Sequence, residues 1–432
     1  MSLSARHKIF FAVGGTGENI SFQAVSAWLF FFWSGGGDPN KALIPIGILG
    51  ILMGIGRFIE AFDDPLIGHI SDRTKSRWGR RFPFIFIGAP FLALSFFLLW
   101  TPIQGSIFIN SIYFFITLQF FFLTYTLVSA PYEGILPEIA KSSEERVSTS
   151  AWRVLFGIVG AAIGLVGSSV LIQNFGFAAM GAILAVLTLT TFWVSIFGIA
   201  GKLLKPGKIN IQPSNLTIYR SLLTTIKNRH FLIFSIAFVL FSMGFNLLNA
   251  LIPFFVKFIL GQPEGMVAVF SAIVLISMLL ALPIQTHLSK RFGKKKIYSN
   301  SMLALSLVFP LLFLVGFFPI STSFFQAAAI TVFIGISLSG QFIFPNAILA
   351  DIIDYDTKKT NQRREAIYYG MQNTLQKFSF AIASVIFGVT LSFFGATNEN
   401  SLGIRLIGPI AGIATFLGYL VFVKLYKLAD EI

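Results

Sequence analysis

Apolar segments long enough to cross a lipid bilayer recur along this chain. They run at 9–33, 42–71, 82–103, 106–136, 146–172, 176–201, 230–260, 265–289, 297–318, 323–354, 365–396 and 402–427. A transmembrane helix needs about 20 consecutive, mainly apolar residues, and each segment comes near or exceeds that length. The pattern therefore predicts an all-α membrane protein with twelve transmembrane helices, numbered below as spans one to twelve.

One longer polar stretch divides these spans six and six. Residues 202–229 contain Pro206, Pro213 and several basic residues and show no periodicity. The sequence S-R-W-G-R-R at 76–81 follows span two, and the similar S-K-R-F-G-K-K-K at 289–296 follows span eight. Parallel repeats would produce this match, although two basic loops can also resemble each other by chance. We predict six-helix bundles at 1–201 and 230–432, joined by a cytoplasmic linker at 202–229.

The basic residues mark one side of the membrane. They cluster in every second connection, whereas the intervening connections carry almost no charge. Because Lys and Arg are enriched in cytoplasmic loops, we expect both termini and the basic loops in the cytoplasm. The clusters are Arg73, Lys75, Arg77, Arg80 and Arg81; Lys141 and Arg146; Lys202 through Arg229; Lys290 through Lys296; and Lys358 through Arg364.

Composition excludes several classes of protein. A hydrophobic content of 55%, a mean hydropathy of +0.79 and only 12% charged residues exceed what a soluble domain tolerates. The net charge of +14 lies in short loops rather than on one soluble face, so nucleic acid is not an expected partner. The chain has no cysteine, its four histidines are scattered, and no Gly-rich phosphate loop is present. Neither a disulfide, a cysteine metal site nor an enzyme is therefore expected.

Span two carries charges inside an otherwise apolar run. Arg57, Glu60 and Asp64 are spaced by three and four residues and share one helical face, with Asp63 about 100° away from Asp64. One Asp or Arg at the bilayer centre costs about 2.5–3.5 kcal/mol, so these side chains must face protein or water. Three carboxylates suit a hard monovalent cation such as sodium, while crowded like charges could instead carry a proton. A structural ion-pair network is the alternative.

The loop after span two resembles a known signature. Gly68, Asp72, Arg73, Gly79, Arg80 and Arg81 resemble the cytoplasmic loop motif of the major facilitator superfamily, with extra length between Asp72 and Gly79. The resemblance implies that Asp72, Arg73, Arg80 and Arg81 act in gating at the inner face. A role in topology alone would explain the arginines equally well.

Further motifs narrow the resemblance to one family. They are R-x-x-x-A-x-x-D-P-x-x-G with its R-W-G-R-R tail, T-Y-T-L-V-S-A-P-Y-E-G-I-L-P-E at 124–138, A-D-I-I-D-Y at 350–355 and R-x-E-A-I-Y-Y at 363–369. These motifs are similar to the glycoside-pentoside-hexuronide:cation symporter family, in the right order over nearly the whole chain. The resemblance implies a major facilitator fold of two pseudo-symmetric six-helix bundles.

The resemblance also assigns binding residues. It gives the cation to Glu60, Asp63, Asp64 and Thr126, with sodium as one candidate ion, and the solute to Glu18, Asn19, Ser129, Glu133, Arg153, Gln372 and Lys377. Two carboxylates that anchor sugar in the best-known member are absent here, since Ser129 replaces one and Glu18-Asn19 alters the other. Their loss weakens a galactoside assignment more than a symporter assignment. The same polar residues could instead satisfy one another, or Arg153 and Lys377 could attract an anion.

A second set of charges lies at the predicted cytoplasmic ends of spans ten and eleven. Asp351, Asp354, Arg363 and Glu365 lie near Lys358 and Lys359 in the sequence, and we expect ion pairs that close an inner gate. Exposed loop charges without function are the alternative, because isolated surface pairs contribute only about 0–1 kcal/mol.

Together these features predict a secondary symporter in a prokaryotic plasma (inner) membrane. It would import a small polar solute, a sugar or glycoside, with sodium or protons as coupling ion and no other cofactor. A sodium-dependent lysophospholipid or other amphiphile transporter is the alternative, and a sensor that has kept the carrier fold is a third reading. The expected partners are the solute, a monovalent cation and the bilayer; the sequence does not predict an oligomeric state.

Overall fold

The computed structural model describes most of the chain. The described residues are 3–36, 40–63, 67, 70–71, 74, 76, 78, 80–103, 105–140, 142–203, 225, 227–317, 322–360 and 365–427. Within these ranges all regular secondary structure is helical, and no β-strand occurs. The all-α prediction is therefore confirmed.

Twelve α-helices have defined bounds in the described ranges. They are α1 (Ala5–Trp33), α2 (Ile46–Glu60), α3 (Phe82–Leu98), α4 (Ile107–Ile139), α5 (Ser143–Ala162), α6 (Ser168–Leu203), α7 (Arg229–Phe254), α8 (Met266–Phe292), α9 (Lys294–Val308), α10 (Ser323–Thr360), α11 (Glu365–Phe394) and α12 (Leu402–Leu425). Short π-helical turns follow α5 and α7, at Ile163–Gly167 and Phe255–Ile259, and a 3₁₀ turn, Phe309–Leu314, follows α9. Each predicted span matches one of these helices or helix-plus-turn runs.

Eight helical runs among the described residues are long and apolar enough to cross a membrane. One of them, Glu144–Ala200, holds spans five and six together. At Gly176 the backbone of this run leaves the helical conformation, with φ 80° and ψ 174°, which glycine adopts readily. The boundary predicted near residue 174 is therefore present in the structure. Helix α1 is outside the eight because Glu18, Asn19 and Gln23 lower its mean hydropathy. These runs make the chain an integral membrane protein.

The first of two compact units contains α1, α3 to α6 and the end of α2 from Ile55 onward, together with Pro263–Ala268. Helix α1 packs along α5 and α6, and α3 packs against α4 and α6. Small residues permit the close approach of α1 and α5, since Gly15 lies against the side chain of Arg153 and Gly157 against that of Asn19. This contact brings polar residues of α1 and α5 together.

The second unit contains α7 to α12 and the start of α2, Ile46–Gly54. Helix α7 packs against α11 and α12, and α9 packs against α10 and α12. Gln285 of α8 joins neighbouring helices, because its amide donates to the carbonyl of Ile336 at 2.8 Å and its oxygen accepts from the hydroxyl of Ser301 at 3.1 Å. The linker boundaries at 202–229 remain a prediction, since 204–224 and 226 lie outside the described residues.

Gly388→Ala is expected to destabilise the second unit by about 1–3 kcal/mol through overpacking. A Cβ on Gly388 would lie 2.7 Å from the Cα of Gly50 and 2.8 Å from the carbonyl of Ile46, and neither backbone can yield cheaply. Gly370→Ala on the same helix is the control, because a Cβ there meets nothing within 4 Å. Thermal unfolding in detergent measures both; equal melting temperatures would contradict the close α2–α11 contact.

Candidate functional site

The first charged group is a buried ion pair at the end of α2. The Nη1 of Arg57 donates to the Oε2 of Glu60 at 2.6 Å, and each residue is only 1% exposed. The guanidinium lies 4.9 Å from the ring centroid of Phe22 and 4.1 Å from that of Phe122. The spacing of three residues places both charges on one face of the helix, as the sequence predicts. Aromatic faces stabilise the guanidinium where water cannot reach it.

Thr126 of α4 belongs to the same region of the first unit. It lies one turn after Phe122, and α4 contacts α2 through Gln119 and Phe122 against Gly56. Thr126 is fully buried, and its hydroxyl finds no hydrogen-bond partner among the described residues. Buried hydroxyls are nearly always hydrogen-bonded in folded proteins. A buried hydroxyl without such a bond is therefore a candidate ligand for a bound ion.

The other predicted cation ligands are only partly placed. Asp63 lies in the helical turn after α2 and is half-buried. Asp64 lies outside the described residues, as do Gly68, Asp72 and Arg73. In the described part of the chain no three His, Cys, Asp or Glu side chains are grouped to hold a metal ion. The three-carboxylate sodium site at Glu60, Asp63 and Asp64 therefore stays a prediction.

The second charged group joins three helices of the first unit. The Nη2 of Arg153, on α5, lies 2.9 Å from the Oε2 of Glu18 on α1 and 2.7 Å from the Oε1 of Glu133 on α4. The side chain of Glu133 is 46% exposed, whereas that of Glu18 is 12% exposed. One guanidinium thus holds two carboxylates, with one side of the group accessible. Such a group offers both donors and acceptors to a polar ligand.

Aromatic residues connect the two charged groups. Phe22 lies one helical turn after Glu18, covers the Arg57 guanidinium, and has its ring centroid 5.8 Å from that of Tyr125. Tyr125 follows Phe122 closely on α4, and both rings lie near Phe22 or the Arg57 guanidinium that it covers. The two groups, defined here as the Arg57–Glu60 pair and the Arg153 cluster (Arg153, Glu18 and Glu133), are therefore contiguous inside one unit.

The remaining predicted solute residues are placed differently. The amide of Asn19 donates to the carbonyl of Gly15 at 2.9 Å, so part of its capacity is used within α1. Ser129 is buried on α4, one turn before Glu133. Gln372 and Lys377 lie on α11 in the second unit, Gln372 being buried and Lys377 half-buried. The Oε1 of Gln372 finds no hydrogen-bond partner among the described residues.

The loop after span two is tied to the end of α4. Arg80 lies 2.6 Å from the Oε1 of Glu138, and the Nη1 of Arg81 lies 3.4 Å from the same oxygen. Sequence reasoning did not assign a role to Glu138, although an acid at a helix end beside a basic loop was a usable signal. These partly exposed pairs brace the loop against α4.

The predicted pairs of spans ten and eleven differ in their partners. The sequence places Asp351 near Lys358 and Lys359, whereas the pair that the structure shows joins Asp351 to Lys294 at 2.6 Å. Packing explains this choice. Helix α10 continues to Thr360, so Lys358 and Lys359 lie two helical turns beyond Asp351, whereas the start of α9 packs beside Asp351. Asp354 is exposed, Arg363 lies outside the described residues, and Glu365 is described only as the first residue of α11.

Solved structures match this architecture. The nucleoside transporter NupG aligns with a TM-score of 0.69 over 98% of this chain and 99% of its own, at 16% sequence identity. The likeness shows that the chain has the major facilitator fold, as predicted.

Curated relatives match nearly the whole chain. The isoprimeverose transporter of Lactiplantibacillus pentosus is 25% identical over 96% of this chain and 87% of its own. The inner membrane symporter YicJ of Escherichia coli (strain K12) is 24% identical over 97% of this chain and 90% of its own length. The sodium-dependent lysophosphatidylcholine symporter 1-A of Danio rerio is 23% identical over 100% of this chain and 87% of its own length.

The family model described as MFS/sugar transport protein matches residues 10–430. This match includes all of α2 to α12 and α1 from Phe10 onward. The relatives include symporters of the type that the sequence motifs resemble. The chain therefore belongs to the MFS/sugar transport protein family, within its glycoside-pentoside-hexuronide:cation symporter branch, and is an integral membrane transporter rather than an enzyme.

Proposed function

We propose that this protein is a cation-coupled symporter that carries a sugar or glycoside across the membrane by alternating access. The observation that carries the proposal is the contiguity of the Arg57–Glu60 pair and the Arg153 cluster inside one unit. Charged side chains are costly at membrane depth and mark ion and substrate pathways. The isoprimeverose transporter, a relative named for a sugar, supports the class of solute.

Each group has a distinct chemical role in this proposal. Glu60 and Thr126 supply oxygen ligands to the cation, with Asp63 and Asp64 as the further ligands expected from the sequence. The Arg153 guanidinium donates to solute hydroxyls, and Glu18 and Glu133 accept from them, with Asn19, Ser129, Gln372 and Lys377 as additional polar contacts. A cation that neutralises Glu60 would favour closure around the solute, so half-loaded carriers rearrange least.

Sodium is the coupling ion that the described residues favour. A proton needs only a carboxylate, whereas sodium also needs neutral oxygen ligands. The buried Thr126 hydroxyl, which has no hydrogen-bond partner among the described residues, is such a ligand. The name of the sodium-dependent relative from Danio rerio is in line with this choice.

We place the protein in a prokaryotic inner membrane with both termini in the cytoplasm. The relative YicJ is named as an inner membrane symporter, and the alternation of basic and uncharged connections supports the orientation. In this orientation the Arg80–Arg81–Glu138 contact and the Asp351–Lys294 pair lie at the inner face, where they would hold the inner gate closed.

The second candidate function is transport of a lysophospholipid, favoured by the match to the lysophosphatidylcholine symporter over the full chain. Thermal unfolding of the purified protein separates the two candidates, because a ligand that binds the native state raises its stability. The probes are isoprimeverose, a panel of disaccharides and lysophosphatidylcholine, each in sodium and in potassium at equal ionic strength. A sodium-enhanced rise with a saccharide is expected. A rise with lysophosphatidylcholine alone would replace the sugar assignment.

A further inference from the structure

A cavity of about 530 Å³ lies in the second unit. It opens where α8 ends at Phe292, α9 begins at Lys294 and α12 ends at Leu425. All three positions are ends of membrane-crossing runs, so the cavity lies at the level of the lipid headgroups. The Asp351–Lys294 pair of the proposed inner gate forms part of its lining, whereas Lys295, Lys296 and the apolar residues of the cavity have no part in the proposed transport cycle.

One side of this cavity is basic. Lys294, Lys295 and Lys296 follow one another in the first turn of α9 and line the cavity. The residue before them, Gly293, has no side chain to cap the helix, so backbone N–H groups of that turn also face an approaching anion. Asp351 is the acidic residue of the lining, and with three lysines it leaves a net charge of +2.

Asp351 shapes this charge and does not cancel it. Its carboxylate holds the ammonium of Lys294 at 2.6 Å, with both side chains partly exposed. The ammonium of Lys296 contacts a different residue of the lining, with its Nζ 5.5 Å from the ring centroid of Phe292. Tyr426 also lines the cavity; burial, together with the nearby Asp351 carboxylate, raises the pKa of its phenol above the usual range. A tyrosine phenol is protonated at neutral pH, so the Tyr426 hydroxyl can donate to an anion.

The other side of the cavity is apolar. Ile348 of α10 and Val423 of α12 line it, and Phe292 closes one edge with 45% of its surface exposed. A free anion would make no use of these side chains, whereas the glycerol and acyl portions of a lipid would pack on them. Basic pockets between transmembrane helices at the cytoplasmic side are a known setting for anionic headgroups.

We propose that this cavity binds a phosphate-bearing anion, with the phosphate held by Lys295, Lys296 and the start of α9. Two sources share this chemistry, an anionic phospholipid headgroup and a free phosphate. The apolar lining favours the lipid. The proposal concerns the second unit only, so it stands or falls independently of the solute and the coupling cation.

The test compares binding of phosphatidylglycerol and phosphatidylcholine to the full chain by native mass spectrometry, with inorganic phosphate as a separate arm monitored by thermal unfolding. The double variant Lys295→Gln/Lys296→Gln should bind phosphatidylglycerol about thirtyfold more weakly. Each lysine near the surface contributes about 1 kcal/mol to anion binding, and a loss of about 2 kcal/mol corresponds to that factor. Lys294 is left in place because its pair with Asp351 joins α9 to α10.

The matched control is Lys358→Gln/Lys359→Gln, which removes the same charge from exposed positions on α10 outside the cavity lining. Lysine-dependent preference for phosphatidylglycerol would support the lipid source. A lysine-dependent rise in melting temperature with inorganic phosphate, without any preference between the two lipids, would support the site with a free phosphate as its ligand. The proposal is overturned if neither probe binds in a way that depends on Lys295 and Lys296, or if both double variants lose binding equally.

Discussion

Glu60→Gln is expected to abolish cation-dependent uptake and to lower the free energy of unfolding by about 3–5 kcal/mol. The pair that it breaks has a 2.6 Å contact, and both residues are 1% exposed. Removing the carboxylate takes away the 2.6 Å partner of a buried guanidinium that lies against the rings of Phe22 and Phe122. Sodium-dependent uptake of labelled glycoside into proteoliposomes and thermal unfolding in detergent would measure the two effects.

A double variant separates the structural role of Glu60 from its role as a ligand. Arg57→Gln/Glu60→Gln removes both charges, so much of the lost stability should return, because neutral replacements of a buried pair are often tolerated. Uptake should stay insensitive to sodium, since the cation has still lost a ligand. Recovery of sodium-dependent uptake in this double variant would show that the pair only supports the fold and would contradict the cation site.

Arg153→Ala is expected to reduce the specificity constant for uptake about a hundredfold, because hydrogen bonds to charged groups contribute about 1.5–3 kcal/mol each. It removes the guanidinium that lies 2.9 Å from Glu18 and 2.7 Å from Glu133. The two carboxylates would then repel each other, and the solute would lose a donor. Initial uptake rates over a range of glycoside concentrations would measure the loss.

The control for this variant is Arg146→Gln on the same helix. The Nε of Arg146 donates to the carbonyl of Ala140 at 3.0 Å and has no part in the Arg153 cluster. We expect its uptake to stay within a fewfold of the parent protein. If Arg153→Ala still showed the full glycoside-induced rise in melting temperature, Arg153 would be a structural residue and the solute site would lie elsewhere.

The helices could be read from the sequence because hydropathy acts locally. Each of the twelve predicted spans corresponds to a helix, and even the break at Gly176 falls between segments that the sequence had separated. The π-helical turns at Ile163–Gly167 and Phe255–Ile259 were not predicted. They depend on one residue inserted into a continuous apolar run, for which the pattern carries no signal.

The candidate site was readable only in part. Arg57 and Glu60 could be paired from their spacing, because both lie on one helix. The Arg153–Glu18 contact joins residues 135 positions apart and exists because α1 packs closely on α5, which no spacing rule reveals. The family resemblance named these residues as candidate solute ligands but did not predict which of them are in contact. The same limit explains why Glu138 was missed and why Lys294 was not recognised as the partner of Asp351.

The Arg57–Glu60 pair and the Arg153 cluster lie in the same compact unit. If these groups bind the cation and the solute as proposed, loading of one would affect the other before any large rearrangement begins. The number of cations carried per solute, and the tightness with which uncoupled leak is suppressed, should accordingly be set within this unit. Changes elsewhere, such as a bulkier side chain between α2 and α11, should slow the carrier while leaving its stoichiometry intact.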